Sequence, residues 1–403
     1  MINKKILLIS TYPIIGAQTG GPLRVKALYE NYQKVFTQVR HTAVFSRYHH
    51  PSDYSPNDIA IKGDLAEKTR HEPVTSDYLI GKAIYEDALL RKEVAEMLLN
   101  YKPDIIEIEQ VFPYLGLRTL IKELGLKIKI VHSSHNIEYK MKEEILVRYN
   151  FPEEKIKSVV TEIRLAEEHL AREADLVAAV TKEDGDEILG MGAKSYVLAR
   201  NGVFDKMATE KALSKWQKYF TEQNIDDYAV FVASAHPPNM EGYKRMIGTA
   251  MGYLRPGQSI VLAGDVGTNI KNGLDEYSVA DVTCHRRTLF LGRLSDDDLS
   301  AVISLSKAML LPITEGGGSN LKTAEAIIST KPVIATTKAM RSFQEYIALP
   351  TVSIADTGAG FKSSIAKILS NEPARLNHDE IKLTRLLLWS NCLKDLTKAV
   401  EKL

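Results

Sequence analysis

The sequence predicts an α/β protein made of two doubly wound parallel-sheet domains, and three observations carry that reading. Short apolar runs alternate with longer amphipathic stretches along nearly the whole chain, the pattern of strands buried on both faces and joined by helical crossovers. The alternation occurs twice, with five strands in each set and a lapse of periodicity between them. At 403 residues the chain also exceeds the size at which one hydrophobic core stops growing, which favours about two domains.

The first set begins with a strand at "KKILLIS" and a glycine-containing loop, followed by a helix at "GPLRVKALYENYQKVF" and a strand at "RHTAVFS". Residues 49–75 are polar, contain proline and show no clear period, which reads as a functional surface loop or a local insertion. A helix at "AIYEDALLRKEVAEMLLNY" leads to strands "DIIEIE" and "IKIVHSS", and the long helix "EEKIKSVVTEIRLAEEHLAREA" leads to "DLVAAV". Periodicity then lapses near "YVLARNGVFDKMATEK", dividing the chain into domains 1–203 and 204–379. In the second set the strands are "YAVFVAS", "SIVLAG", "TLFLGR", "AMLLPI" and "KPVIAT". Helices at "MEGYKRMIGTAMGYL", "DDDLSAVISLS" and "NLKTAEAIIS" lie between them. The closing stretch "DEIKLTRLLLWSNCLKDLTKAVEKL" is amphipathic, and Trp389 within it reads as a packing residue. No short-period repeat or low-complexity tract interrupts the pattern.

Composition narrows the class. Hydrophobic residues at 44% and charged residues at 26% match an ordinary globular protein. A net charge of +1 without a local basic stripe excludes bulk attraction to nucleic acid. Cys284 and Cys392 are far apart in sequence, so neither a disulfide framework nor a zinc site is expected, which fits a reducing compartment. The apolar run after Met1 is broken by Ser10, Thr11, Tyr12 and Pro13 and reads as a buried first strand. No stretch approaches the roughly 18 apolar residues of a membrane span. The expectation is a cytoplasmic protein, with peripheral attachment to the inner face of the membrane left open.

The candidate chemistry lies at glycine turns and at one strand end. In "PITEGGGSNLKTAEAIISTKPVIAT", Gly316, Gly317 and Gly318 precede a helix carrying Lys322 and Glu325. Such a run either makes a tight strand-to-helix turn or lets backbone N–H groups approach an anion at the helix N-terminus. Gly20 and Gly21 stand before a helix in the first half in the same way. Two such turns in two α/β halves suggest rims facing one cleft, with an anion held between the domains. His132 and His135 follow the apolar part of "IKIVHSSHNIEY", at the strand end where a doubly wound sheet presents ligand-facing groups. No nucleophile elbow, metalloprotease helix, Walker loop or complete dinucleotide fingerprint occurs. The acids Asp296, Asp297 and Asp298 begin a helix and complement its dipole rather than form a metal cluster.

Taken together, "TGGPLRVKAL", "HNIEY", "EADLVAAVTKED", "RNGV", "FLGRLSDDDL" and the 312–336 block resemble the family-four retaining glycosyltransferases. These enzymes use nucleotide sugars and carry two facing Rossmann-like domains, the GT-B fold. The matches occur in family order over nearly the full length, and the last block is the most specific. The resemblance implies that Glu325 accepts hydrogen bonds from the donor ribose. The backbone around Gly317, Gly318, Ser319, Asn320 and Leu321, with the Lys322 ammonium, would hold the diphosphate. Gly20 and Gly21 would approach that diphosphate from the other domain, His135 would lie near the donor sugar and acceptor, and Arg293 near the nucleobase or in a structural role. The segment 380–403 would cross back onto the first domain.

Two departures stand out. The family's paired glutamates are incomplete, because the position expected for the first is Gly317 and the available acid is Glu315. The usual Arg and Lys after the first strand of the second domain are replaced by Ser234, His236 and Asn239, a form associated with a GGG-loop subgroup. The resemblance implies no cofactor and no metal, a nucleotide-diphosphate sugar as co-substrate, and a glycan or lipid-linked saccharide acceptor in polysaccharide or lipopolysaccharide assembly. A nucleotide-sugar epimerase and an inactive nucleotide-sugar-binding or glycan-binding partner are the alternatives. The donor sugar, nucleobase and acceptor carry no signature in the sequence.

Overall fold

The computed structural model describes residues 1–17, 20–315 and 321–403. The chain divides into two compact units, Met1–Arg200 with Cys392–Leu403, and Asn201–Asn391.

In the first unit the strands are β1 (Ile2–Ser10), β2 (Phe36–Phe45), β3 (Ile59–Ala60), β4 (Ile105–Glu109), β5 (Lys129–Ser133), β6 (Leu176–Ala179) and β7 (Val197–Leu198). They form one parallel sheet in the order β3-β2-β1-β4-β5-β6-β7. The chain starts in the middle, winds outward, then returns across β1 to build the other half, so the order reverses between β1 and β4. A crevice opens at the carboxyl ends of the strands at such a point.

Alternation along the strands assigns each residue to a face. Leu7, Ile9, Val44, Ile106 and Ile108 enter a core packed by the helices Ser76–Glu86, Ala88–Tyr101, Tyr114–Glu123 and Glu153–Glu173. Burying each such aliphatic side chain stabilises the fold by about 1.5–3 kcal/mol. The out-of-phase residues of β4 are Ile105, Glu107 and Glu109, all fully buried. On the helix Gly20–Gln33, Arg24, Leu28 and Tyr32 are buried at successive i+4 positions and share one stripe.

The second unit repeats the plan. Its strands are β8 (Asp227–Val232), β9 (Gln258–Ala263), β10 (Thr288–Gly292), β11 (Ala308–Leu311), β12 (Val333–Ala335) and β13 (Val352–Ile354). Their parallel order, β10-β9-β8-β11-β12-β13, reverses between β8 and β11. Apolar clusters cover both faces, one containing Val230, Val261, Met309 and Val333, the other Ala229, Phe231, Ile260 and Leu310.

The architecture is the predicted one, with local corrections. Residues 49–75 hold β3 and the helix Gly63–His71 instead of lacking regular structure. The sequence pattern misses that helix because Thr69 is its one buried residue among those described. The stretch 83–101 is not one helix, because Asp87 breaks it and its carboxylate accepts from the backbone N–H of Leu89 and Leu90 to cap the second. The helix expected from Met240 starts at Pro237 and ends at Met246. The closing stretch folds as His378–Arg385, Trp389–Cys392 and Lys394–Glu401. The first of these belongs to the second unit, while the last lies in the first, where Asn31 Nδ2 donates to Thr397 Oγ1 at 2.5 Å. Trp389 is buried and tilted against Phe204, with ring centroids 6.3 Å apart.

Candidate functional site

In the second unit the candidate residues gather at the reversal point between β8 and β11. After β8 the chain runs through Ser234 to the helix Pro237–Met246, and after β11 it leads to the helix Leu321–Ile328. Asn239 is buried and bridges the two connections. Its Nδ2 donates to the Ser234 carbonyl at 2.9 Å and to Ser234 Oγ at 3.4 Å. Its Oδ1 accepts from Lys322 Nζ at 2.7 Å. Gly242, one turn further on, faces the Pro312 carbonyl so closely that a Cβ would stand 1.9 Å from the oxygen. The glycine thereby lets the helix Pro237–Met246 lie directly against the end of β11.

Lys322 and Glu325 occupy i and i+3 of the next helix and share a face. Burial lowers the Lys322 ammonium to about 8, against the upward pull of Glu325. Burial raises the Glu325 carboxyl, opposed by Lys206 and Lys322 and reinforced by Asp296. Lys206 pairs with Asp296 at 2.8 Å. Ser234, Asn239 and Lys322 are therefore joined by hydrogen bonds, Glu325 shares the helix face of Lys322 and acts on it through its charge, and Leu321 opens the helix that carries both. A half-buried cation of lowered pKa, held by a neutral amide, is ready to take an anion, because an approaching negative charge restores its ordinary preference for the proton.

Other predicted positions fall elsewhere or outside the described residues. Gly317, Gly318, Ser319 and Asn320 lie outside them, as does Gly316. Glu315 is exposed. Arg293 follows β10 and forms a two-pronged pair with Asp265, Nε to Oδ1 at 2.9 Å and Nη2 to Oδ2 at 2.6 Å, while remaining largely exposed. The acids after Ser295 are engaged in structure: Ser295 caps their helix, Asp297 accepts from Thr209, and Asp298 accepts from Lys215 and Trp216.

In the first unit Gly20 and Gly21 are not a turn before the helix but its first two residues. A Cβ on Gly21 would stand 3.0 Å from the Tyr12 hydroxyl. His135 follows β5, 7% exposed. Its Nε2 lies 2.8 Å from Glu109 Oε2 and its Nδ1 3.4 Å from the Tyr12 hydroxyl. His132 sits within β5, where burial and the neighbouring His135 lower it to about 3, so it is a neutral packed imidazole.

Sequence reasoning passed over Arg24, Glu107 and Glu109. Arg24 Nη1 donates to the Ala199 carbonyl at 2.7 Å. Burial raises both carboxyls, the Glu109 charge raises Glu107 further, and Arg24 pulls both down. The signal was present in "IIEIE", where two acids recur at period two in an otherwise apolar central strand. Among the described residues, no group of three or more His, Cys, Asp or Glu could hold a metal ion, and no helix is long and apolar enough to cross a membrane.

No protein-family model and no curated protein matches the sequence. Solved structures match along the whole chain. Sucrose-phosphate synthase from Thermosynechococcus elongatus is 15% identical with a TM-score of 0.68, and the match covers 99% of each chain. HepE of Anabaena, solved in complex with UDP, is 13% identical with a TM-score of 0.66 over 99% of this chain and 100% of that one. The lipopolysaccharide outer core galactosyltransferase WaaB is 14% identical with a TM-score of 0.55 over 99% of this chain and 100% of that one. With its two parallel sheets in the same reversed order, the chain has the two-domain α/β fold of the GT-B glycosyltransferases.

Proposed function

We propose that the protein transfers a sugar from a nucleoside diphosphate donor to a glycan or lipid-linked saccharide, with retention at the anomeric carbon, in the assembly of a cell-surface polysaccharide. The observation that carries this reading is the Asn239–Lys322–Glu325 group at the β8/β11 reversal point. Glu325 is suited to accept hydrogen bonds from the ribose hydroxyls. Lys322 and the first backbone N–H groups of the helix Leu321–Ile328, which an α-helix leaves without intrahelical partners, are suited to the diphosphate. The complexes of HepE with UDP and with UDP-glucose support a nucleotide-sugar ligand for this fold.

Chemistry follows from where charge develops. When the bond between the anomeric carbon and the phosphate oxygen breaks, negative charge gathers on the leaving diphosphate. Preorganised donors that meet this charge stabilise the transition state more than the ground state. The acceptor oxygen forms its bond to the anomeric carbon on the face that the diphosphate leaves, and its proton passes to a departing phosphate oxygen. Lys322 and the helix amides would meet the leaving-group charge, and His135 in the first unit would meet the sugar.

The test incubates the full chain with a panel of nucleotide sugars and measures nucleoside diphosphate release with and without saccharide acceptors. Acceptor-dependent release is expected, falling at least about 100-fold in K322A and E325A, the scale on which a leaving-group stabiliser acts, with melting temperature little changed. Wild-type rates in both variants, or interconversion of the donor sugar without transfer, would overturn the assignment.

A further inference from the structure

The first unit buries a second polar group that the donor site does not use. Arg24, Glu107 and Glu109 are each within 1% of full burial, at the β1/β4 reversal point. Replacing buried ion pairs by apolar residues is often neutral or stabilising, so stability alone does not account for three ionisable groups here. Their geometry leads to His135. Glu109 is the last residue of β4 and pairs in register with Ser133 of β5, two residues before His135. Carboxylate and imidazole thus stand 2.8 Å apart, the first at the end of β4 and the second two residues past the end of its neighbour β5.

The contacts of the two ring nitrogens differ. Nε2 meets a buried carboxylate at close range, whereas Nδ1 meets the Tyr12 hydroxyl at 3.4 Å, the outer limit of a hydrogen bond. One buried cation, Arg24, faces two carboxyls. Arg24 draws both carboxyls toward the ionised form against burial, and of the two it acts most directly on Glu109. An ionised Glu109 accepts from Nε2–H, which leaves the Nδ1 lone pair outward. Tyr12, kept as a phenol by burial beside Glu109 and Glu138, donates weakly to that lone pair and is readily displaced.

We propose that Glu109 is a positioning residue that fixes His135 as the neutral Nε2–H tautomer, so that Nδ1 accepts a hydrogen bond from a hydroxyl of the sugar ligand in place of Tyr12. The inference rests on the glycosyltransferase reading for the identity of the ligand, and on the Glu109–His135 geometry for the tautomer. It gives one of the period-two acids of β4 a purpose: Glu109 orients the ring, while Glu107, raised by burial and by the Glu109 charge, lies beside it in the same buried group.

Two measurements test it. Two-bond 1H–15N correlation spectra of the 15N-histidine-labelled full chain, with His135 assigned by its loss in H135Q, report the tautomer directly at neutral pH. Nε2–H is expected; an Nδ1–H ring or an imidazolium would overturn the proposal without bearing on whether the enzyme transfers sugar. In kinetics, E109M should lower kcat by about 10- to 100-fold, the scale of a misoriented catalytic group, with the donor KM changed by less than about threefold, and E109D should recover part of the loss. A wild-type kcat in E109M, or a loss confined to KM, would overturn it. Should the wild type transfer no sugar at all, the functional reading fails while the spectra still decide the tautomer.

Discussion

Lys322 is the residue whose chemistry is most exposed to a simple test, because its surroundings bring its titration into the working range. Burial favours the uncharged amine and lowers the group to about 8. A diphosphate binds the ammonium form, so binding requires proton uptake once the free protein has lost that proton. The sign follows: donor affinity is level below about pH 8 and weakens above it, approaching tenfold per pH unit as one proton is taken up. Titration calorimetry of the donor across pH 6.5–9.5 in buffers of different ionisation enthalpy checks both the slope and the proton count; a flat profile would remove Lys322 from the anion site. At this scale the sequence was legible where spacing is local. Lys322 and Glu325 stand i and i+3 in one helix, so their shared face could be read directly. The Asn239 amide that holds Lys322 lies 83 residues away, and only the parallel ordering of β8 beside β11 brings the two together. Glu109 and His135 were separated in the same way, by 26 residues.

At the scale of elements, the proposed donor site depends on how closely the helix Pro237–Met246 can approach the end of β11. Gly242 permits that approach, since any Cβ there would stand 1.9 Å from the Pro312 oxygen. Replacing it by valine should therefore destabilise the fold by about 1–3 kcal/mol, as overpacking does, and weaken donor binding by shifting Asn239 relative to Lys322. Gly252, whose Cβ would meet nothing within 4 Å, provides the control, and G252A should stay within about 0.5 kcal/mol of the wild type. Urea denaturation of the two variants makes the comparison; equal midpoints would show that the contact carries no energy. The central strands could be read in the sequence because burial on both faces demands unbroken Val, Ile and Leu. The edge strands β3, β7 and β13 have two or three residues each and leave no periodic trace. The break at Asp87 was hidden for the opposite reason: two consecutive helices kept one apolar period across the capping residue.

At the scale of the molecule, a net charge of +1 gives no long-range attraction for polyanions, so recognition of a charged ligand has to come from local groups. The sequence anticipated two parallel-sheet domains because the strand–helix alternation repeats, and the structure adds that both sheets reverse their strand order in the same way. In doubly wound sheets such a reversal is where ligands bind, at the carboxyl ends of the strands. The second unit fills its reversal point with a half-buried cation and carboxyl, and the first with a buried carboxylate and imidazole. The proposed function assigns the nucleotide to the second unit. Amide hydrogen exchange of the full chain, followed by mass spectrometry with and without each of a panel of nucleoside diphosphate sugars, locates the donor most directly. The account predicts that a bound donor slows exchange by about tenfold or more across residues 233–246 and 321–328, as ligand binding closes local opening. Binding that leaves both segments unchanged would contradict it.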